Sequence, residues 1–381
     1  MRRRPLTVNH RQRERLAGAF TPKNGQFVKC FTRYLGRRQY DTFQLGRLRN
    51  KFLYRWSADQ IDPKYRFDEW REVRSRGLFG VTAELDAEQR ANFTGEFTLQ
   101  KFGNVGLVEL KASSYRVART TRDIDHAPSD SLCIYQQLSD GGWFDTADGS
   151  DFAVRRGTFA TSYADLPYRT SPIGADGFHL RIVKIPAAEI WAAGGGLHDL
   201  FPKPFAADPV IAPLLQSCFA DLVAAGESME PQAAARLIRS LASLALIERG
   251  TINPGSEFAR KALRVGRLSL AQRIIASQLT DAKLSPASVA GQLGISIRHL
   301  HALFERTAMS FSQTLTATRI EHSRKLLAGA PAQAISSIAF ASGFDSLATF
   351  YRVFRAASGM APGDFREAAM ETATAAQTAA E

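Results

Sequence analysis

Two short segments near the carboxyl end of the chain carry side chains of the types that read the edges of DNA bases. An arginine guanidinium can donate two hydrogen bonds to guanine O6 and N7, and a threonine can contact a polar base edge or a thymine methyl group. We therefore predict that eight residues contact bases, with Arg352 as the principal reader. These residues are Arg298, His301 and Ala302 in the first segment, and Leu347, Ala348, Thr349, Tyr351 and Arg352 in the second.

Each segment is predicted to form an amphipathic helix, because its apolar residues recur three and four positions apart. Glu305 falls on the outward face of the first helix as a solvated charge, and Arg355 in the second is placed to reach a flanking phosphate. The predicted inward residues are Leu300, Leu303 and Phe304 in the first helix and Phe350, Val353 and Phe354 in the second.

A helix-turn-helix signature precedes each of these helices, so the motif occurs twice. Residues 288–294 and 337–343 each contain a Val-Ala or Ile-Ala pair followed by a glycine, Gly294 or Gly343. Glycine is favoured there because the turn requires a left-handed backbone that other residues adopt only with strain. The predicted helix caps are Ser285 ahead of Pro286, Ser296, and Asp345 or Ser346.

Between the two units, residues 311–328 have helical periodicity and are predicted to form a rigid connector. Eighteen residues at about 1.5 Å each span roughly 27 Å. With the width of the units added, that length approaches the roughly 34 Å between successive major-groove faces. One chain is therefore expected to occupy two adjacent turns of double-stranded DNA.

These motifs closely resemble the DNA-binding domain of AraC/XylS-type regulators over about a hundred residues. The resemblance implies that the second helix of each unit contacts bases, at the eight positions given above. One departure is Thr307-Ala308-Met309, where the family usually has a glycine before the connector. The resemblance is carried by Leu293-Gly294-Ile295-Ser296, by Arg319-Ile320-Glu321 and the Leu326-Leu327 pair that follows, and by Gly343-Phe344-Asp345-Ser346 with Gly359 and Pro362 behind it.

Charge is distributed unevenly along the 381 residues, whose formal net charge is +12. Residues 1–55 hold fifteen Lys and Arg against two acidic residues, and residues 261–366 hold thirteen against five. Residues 56–260 hold twenty-one against twenty-seven, so the middle is acidic. A basic carboxyl-terminal domain over residues 261–368 suits a phosphate-facing surface. Residues 369–381 are predicted to be a flexible tail.

Residues 1–55 are predicted to be a basic, disordered extension, because they combine many arginines with poor periodicity. Two interpretations remain open. The segment is either a nucleic-acid-binding arm, with Arg2-Arg3-Arg4 interleaved with aromatic residues further on, or the product of an over-long reading frame.

Residues 56–205 contain short β-rich runs separated by turns that carry glycine and aspartate, which predicts a barrel or double-sheet roll. The arrangement resembles the cupin-type sensor domain of many AraC/XylS relatives, and the resemblance implies a small organic effector with no assignable pocket residue. Residues 206–255 are predicted to be a helical coupling and dimerisation segment, whose two helices either cover the barrel or form a dimer seam, or do both as the family resemblance implies. Its linker lies near Asn253-Pro254, and Leu237, Leu241, Leu244 and Leu246 are expected to be mostly core. The predicted fold class is thus multidomain α+β: a cupin-like β-barrel, a helical segment and an all-α domain.

An enzyme is the rival class, in the form of a metal-dependent cupin fused to a DNA-binding domain. Such cupins need a facial cluster of His and carboxylate ligands. The barrel region has no His-x-His pair, and His126, His179 and His198 are scattered. Cys30, Cys133 and Cys218 lack metal-site spacing. We therefore predict no catalytic activity, no metal site and no cofactor.

The sequence predicts a DNA-binding transcriptional regulator, activating by family analogy, whose barrel binds an effector. Its predicted partners are promoter DNA, RNA polymerase, a small-molecule effector and a second copy of the chain. No membrane span or signal peptide is recognised, which favours the cytoplasm. The alternative is a constitutive DNA-binding protein whose barrel only dimerises.

Overall fold

The computed structural model describes residues 44–48, 51–190, 196–205, 208–225, 229–330 and 332–378. The chain divides into two compact units, Met1–Leu263 and Arg264–Glu381. Most of the predicted amino-terminal extension lies outside the described residues, and so does Cys30.

The amino-terminal unit is built from two antiparallel sheets. One has eight strands in the order β1-β2-β4-β5-β12-β7-β10-β13, and the other has five in the order β3-β6-β11-β8-β9. This arrangement agrees with the predicted cupin-like double-sheet roll. The strands are β1 (Gln44–Leu48), β2 (Lys51–Ser57), β3 (Thr82–Glu84), β4 (Gly95–Phe102), β5 (Val105–Ala112), β6 (Arg116–Arg119), β7 (Ser131–Gln137), β8 (Gly141–Thr146), β9 (Asp151–Arg155), β10 (Phe159–Tyr163), β11 (Tyr168–Pro172), β12 (Phe178–Pro186) and β13 (Lys203–Pro204).

Aromatic side chains pack against one another in the interior between the sheets. Alternation along each strand directs every second residue inward, and Trp56 on β2 stacks on Phe97 of β4 with ring centroids 5.9 Å apart. Helix α1 (Arg66–Glu72) adds Phe67 and Trp70, both almost fully buried. A single π-helical turn, Val73–Leu78, follows it directly. Each such side chain contributes roughly 1.5–3 kcal/mol through its burial.

The sheet begins before residue 56, where the sensor domain was predicted to start. β2 runs from Lys51, and Tyr54 pairs with Leu99 of β4 and is buried in the core. The predicted boundary is therefore too late, because Tyr54 and Trp56 alternate in the same phase and both face inward.

Two helices, α3 (Ile211–Ala225) and α4 (Pro231–Glu248), pack against the eight-stranded sheet. Phe219 of α3 meets Phe159 of β10 edge to face, with centroids 5.2 Å apart. Just after α4, Arg249 donates hydrogen bonds to the Thr161 and Phe201 carbonyl oxygens, each at 2.9 Å. The helix pair is thereby attached to the sheet. The short helix α2 (Thr121–His126) lies between β6 and β7.

The leucines predicted to be mostly core in the helical segment are buried within one chain, each at most 7% exposed. Their side chains are covered by the chain's own sheet and helices, as expected for core residues. The residues are Leu237, Leu241, Leu244 and Leu246.

The transition between the units falls inside a helix. Helix α5 spans Glu257–Ser277 without interruption, and the division between the units lies after Leu263. The interdomain linker predicted near Asn253-Pro254 instead precedes this helix, and the neighbouring Ile252 is 3% exposed. Residues that flank this Gly- and Pro-containing turn pack against apolar neighbours. The turn is therefore part of the amino-terminal unit, and its composition alone predicts the domain boundary in the wrong place.

The carboxyl-terminal unit is all helical in its described residues. Its last helix reaches Thr378, so the tail predicted to be flexible from residue 369 is helical for most of its length, which its alanine content favours. After α5 the helices are α6 (Pro286–Gln292), α7 (Ile297–Phe304), α8 (Phe311–Gly329), α9 (Ile335–Ala341), α10 (Leu347–Ser358) and α11 (Pro362–Thr378).

Candidate nucleic-acid interface

Helix α7 is the second helix of the first unit, and it presents one apolar and one solvent-facing side. Ser296 caps it, because its Oγ accepts a hydrogen bond from the His299 backbone N–H at 3.1 Å. The predicted inward residues Leu300, Leu303 and Phe304 are at most 2% exposed. On the opposite side the candidate readers Arg298, His301 and Ala302 are all exposed, together with Glu305.

Helix α10 repeats this arrangement in the second unit. Ser346 is the cap, with its Oγ accepting from the Thr349 N–H at 3.3 Å, and Phe350 and Phe354 are fully buried. Val353 is partly buried against the same core. The structure leaves the candidate readers on one side of the helix: Leu347, Ala348, Tyr351 and Arg352 are exposed, and Thr349 is half-buried.

Both predicted glycine turns adopt the left-handed conformation, with φ of 62° at Gly294 and 81° at Gly343. Their surroundings differ. A Cβ at Gly294 would meet nothing within 4 Å, whereas a Cβ at Gly343 would lie 2.1 Å from the Leu279 carbonyl oxygen. Gly343 is therefore required both by backbone conformation and by close approach to the neighbouring loop.

Helix α8 belongs to both halves of the unit. Phe311 and Leu315 at its start pack in the first core, while Ile320 and Leu327 pack in the second. At 19 residues it is about 28 Å long, as the connector hypothesis requires. Because one continuous helix contributes to both cores, the two halves are fixed relative to each other.

A side chain on α8 reinforces this connection and was not singled out from the sequence. Arg319 Nε donates to the Leu279 carbonyl oxygen at 2.8 Å, and its Nη2 donates to the Asp281 carbonyl oxygen at 2.7 Å. The same guanidinium lies 5.9 Å from the ring centroid of Phe344, in the turn of the second unit. A half-buried arginine that joins a loop of the first half to the turn of the second has no local sequence signal beyond its place in the family motif.

The bend between α7 and α8 is built without glycine. The Thr307 hydroxyl lies 2.8 Å from the Phe304 carbonyl oxygen and 2.6 Å from that of Met309, within hydrogen-bonding distance of both. Ser310 then caps α8 through a reciprocal pair of hydrogen bonds with Gln313. These side-chain contacts explain how the chain departs from the family pattern at Thr307-Ala308-Met309.

The three histidines that could serve as metal ligands in a cupin enzyme lie in different environments. His126 Nδ1 is 2.7 Å from the Arg122 carbonyl oxygen, His179 pairs with Glu109 on the outer face of the sheet, and the His198 ring lies beside Tyr163. Across the described ranges, no three His, Cys, Asp or Glu side chains are grouped so that they could hold a metal ion. In the same ranges, no helix combines the length and the apolar character that a membrane crossing needs.

A double-sheet roll followed by two helix-turn-helix units on a shared helix defines a class of DNA-binding transcriptional regulators. Residues 127–246 match a family model described as an AraC-like ligand binding domain, and residues 289–368 match a helix-turn-helix domain model. Together the two matches cover more than half of the chain. The chain belongs to the AraC/XylS family of transcriptional regulators.

Individual relatives are more distant. The chain is 24% identical over 307 residues to the transcriptional activator NphR of Rhodococcus sp. The aligned residues cover 78% of this chain and 88% of that protein. Its similarity to the HTH-type transcriptional regulator GlxA of Rhizobium meliloti is 37% identity over 84 residues, covering 22% of this chain and 26% of that protein. The crystal structure of the AraC-like transcriptional activator CuxR aligns with 76% of this chain and 99% of its own, at 19% identity and a TM-score of 0.46.

Proposed function

We propose that the chain binds promoter DNA with α7 and α10 in two successive turns of the major groove. One observation carries this proposal: two capped helices, each with a buried apolar side and an exposed side, are held by the single helix α8. In this arrangement Arg298, His301 and Ala302 read one groove segment. Leu347, Ala348, Thr349, Tyr351 and Arg352 read the next.

The different side chains give the two helices different roles in recognition. Arg352 provides two parallel donors for a guanine, while Leu347, Ala348 and the Thr349 methyl provide apolar contacts for thymine methyl groups. Tyr351 and His301 each have a polar tip that can donate or accept at a base edge or a phosphate. The second helix therefore contributes more of the sequence discrimination than the first.

The sheet domain acts as an effector sensor in this proposal, and the effector changes how strongly the chain binds DNA. A ligand shifts such an equilibrium only by its difference in affinity between the two states of the protein. We propose activation of transcription, through contact with RNA polymerase in the cytoplasm, since the relative NphR is described as a transcriptional activator. A homodimer would use surfaces other than the buried leucine face of α4.

The test begins with footprinting of the full-length chain on DNA upstream of its own and neighbouring genes. Transcription from the protected promoter is then measured with purified RNA polymerase, with and without the chain. Stimulation that is lost in the Arg298→Ala/Arg352→Ala double variant supports the proposal. A protected promoter whose transcription falls when the chain is added would make it a repressor, and the absence of any preferred site would contradict sequence-specific binding.

The effector role is tested separately. If small molecules stabilise the sheet domain but leave the affinity for DNA and the transcription rate unchanged, the sheet domain does not regulate DNA binding. If none binds, the chain is a constitutive DNA-binding protein, as in the alternative interpretation of its sequence.

A further inference from the structure

Lys184 and Arg74 are two of the cations that are buried in the sheet domain. Lys184 on β12 continues the inward-facing series of Phe178, Leu180 and Ile182, and it is 6% exposed. Arg74 is also 6% exposed and comes from the π-helical turn Val73–Leu78. Turns of this type occur frequently at functional sites.

The two cations share one aromatic neighbour, Phe79. The Arg74 guanidinium carbon lies 5.0 Å from the centroid of the Phe79 ring, and Lys184 Nζ lies 5.8 Å from the same centroid. Arg74 is also 6.0 Å from the ring centroids of Trp70 and Tyr115. Three aromatic rings therefore surround Arg74, and one of them also lies beside Lys184.

The hydrogen bonding of Arg74 is incomplete. Its Nε and Nη1 atoms are buried and have no hydrogen-bond partner among the described residues. Lys184 Nζ donates to the Leu78 carbonyl oxygen over a long 3.4 Å. Burial lowers the pKa of Lys184 to about 8.

Arg119 provides the contrast within the same domain. It is 2% exposed, and its guanidinium forms a 2.7 Å ion pair with Asp165 and also donates to the carbonyl oxygens of Ala164 and Ala127. A buried arginine with a structural role is thus paired with a carboxylate here. Arg74 has aromatic rings around it, and among the described residues no carboxylate forms an ion pair with it.

An unpaired buried charge destabilises a fold strongly, and aromatic faces offset only part of that cost. A planar carboxylate would supply two acceptors in the geometry that a guanidinium matches. We propose that the sheet domain binds a small organic acid, whose carboxylate pairs with Arg74 near Lys184 and whose apolar body contacts Phe79 and Tyr115. This inference rests on the proposed effector role and names the chemical class of the effector.

An outer groove offers a rival site on the same domain. It has a volume of about 430 Å³, and its lining includes Glu96, Glu109, Lys111 and His179. Its lining carries two cations, Arg55 and Lys111, and two carboxylates, Glu96 and Glu109. Glu109 also accepts hydrogen bonds from Arg181 at 2.8 Å and from His179 at 3.2 Å. An anion would therefore gain less electrostatic stabilisation in the groove than beside Arg74.

The test measures thermal unfolding and calorimetric binding on the full-length chain with benzoate, phenylacetate and hexanoate, each beside its neutral primary amide. The acids should raise the melting temperature of the wild type and the amides should not. Arg74→Met should weaken acid binding at least tenfold, and Lys184→Met should weaken it less. Arg71→Met is the matched control, since Arg71 lies three residues earlier, is half exposed and pairs with Asp68.

A second readout does not depend on the choice of acid. Without ligand, Arg74→Met should melt at the wild-type temperature or above, because it removes an uncompensated charge and retains most of the side-chain volume. A lower melting temperature would mark Arg74 as a structural cation and overturn the proposal. The failure of all three acids to bind the wild type would overturn it, and so would acid binding that survives in Arg74→Met.

These outcomes separate the inference from the proposed function. Acid binding that depends on Arg74 but leaves DNA binding unchanged would contradict the regulatory role and support the site. Regulation by one of the neutral amides, undisturbed in Arg74→Met, would support the regulatory role and overturn the site.

Discussion

Arg352 is the residue on which the specificity of the second unit most depends. It is exposed on α10, opposite the buried Phe350 and Phe354. Arg352→Ala should weaken binding to the cognate site by about 1–3 kcal/mol and relax the preference at one base pair. Competition binding against operator variants, each changed at one position, measures both effects.

Arg355, three residues further along the same helix, is the matched comparison. Arg355→Ala should weaken binding about equally for all sequences and reduce the salt dependence by about one phosphate contact. If Arg352→Ala behaves in that uniform way, the residue contacts phosphate and its assignment as a base reader is wrong.

Lys184 gives the sheet domain a defined dependence on pH. Its folded pKa of about 8 lies below the ordinary value of 10.5, so between these values the unfolded chain holds a proton that the folded chain has released. Stability from this residue therefore rises with pH, by about 2 kcal/mol between pH 7 and 9.5. Denaturant unfolding of the wild type and Lys184→Met at both pH values measures the difference.

The comparison with Lys184→Met is needed because other groups titrate nearby. Cys133, Arg119 and Asp165 all influence Lys184, and burial raises the pKa of the Cys133 thiol. These groups remain in both proteins, so their contributions largely cancel in the difference. An equal change of stability with pH in the two proteins would show that Lys184 carries its charge without cost.

Single residues differ in how well the sequence predicts them. The inward Leu300 and Phe350 follow from helical spacing alone, and the structure confirms their burial. Arg74 and Lys184 could not be assigned in the same way, because their importance depends on neighbours far away in the chain. For Lys184 a signal did exist, since a lysine in the inward phase of an apolar strand is unusual.

At the scale of elements, the two glycine turns provide a matched pair. Both require a left-handed backbone, so alanine at either position is strained by about 1–2 kcal/mol. At Gly343 the added Cβ would also collide with the Leu279 carbonyl oxygen and approach Arg319. We expect Gly343→Ala to cost about 2–5 kcal/mol in unfolding free energy, well above Gly294→Ala.

Calorimetric unfolding of both variants tests this order, with Gly343→Val as a more severe version of the same change. Equal losses of stability at the two positions would show that only backbone conformation matters, and that the turn of the second unit does not approach Leu279 closely.

The elements of the carboxyl-terminal unit could be predicted well, because their signals are local. The Ser285 and Ser296 caps, the glycine turns and the connector helix all follow from short-range chemistry, and the structure confirms them. The domain boundary could not be predicted in this way. Helix α5 continues through it, and only long-range packing decides to which unit each of its turns belongs.

At the scale of the whole molecule, the carboxyl-terminal unit should function alone. A fragment of residues 257–378 contains all of α5 and both hydrophobic cores. We expect it to fold cooperatively and to bind DNA without an effector. Its affinity should fall about 10³- to 10⁵-fold between 50 and 200 mM salt if six to ten phosphates are neutralised. Titrations at several salt concentrations measure this slope.

The full-length chain, titrated with DNA under the same conditions, is the control for the 257–378 fragment. Tighter binding by the full-length chain would indicate paired sites and a dimer. A variant without residues 1–43, which lie outside the described residues, should bind DNA as the full-length chain does if that segment is an over-long reading frame. A large loss of affinity in this variant would identify it as a DNA-binding arm.

In the proposed complex, one chain reads two successive turns of DNA with α7 and α10. Selection of binding sites from random DNA by the 257–378 fragment tests this arrangement. We predict selected sites with two preferred sequence blocks, centred about 10 base pairs apart. Arg352→Ala should relax one block and Arg298→Ala the other. Selected sites with a single block, or two blocks that relax together in either variant, would show that α7 and α10 do not read separate turns of DNA.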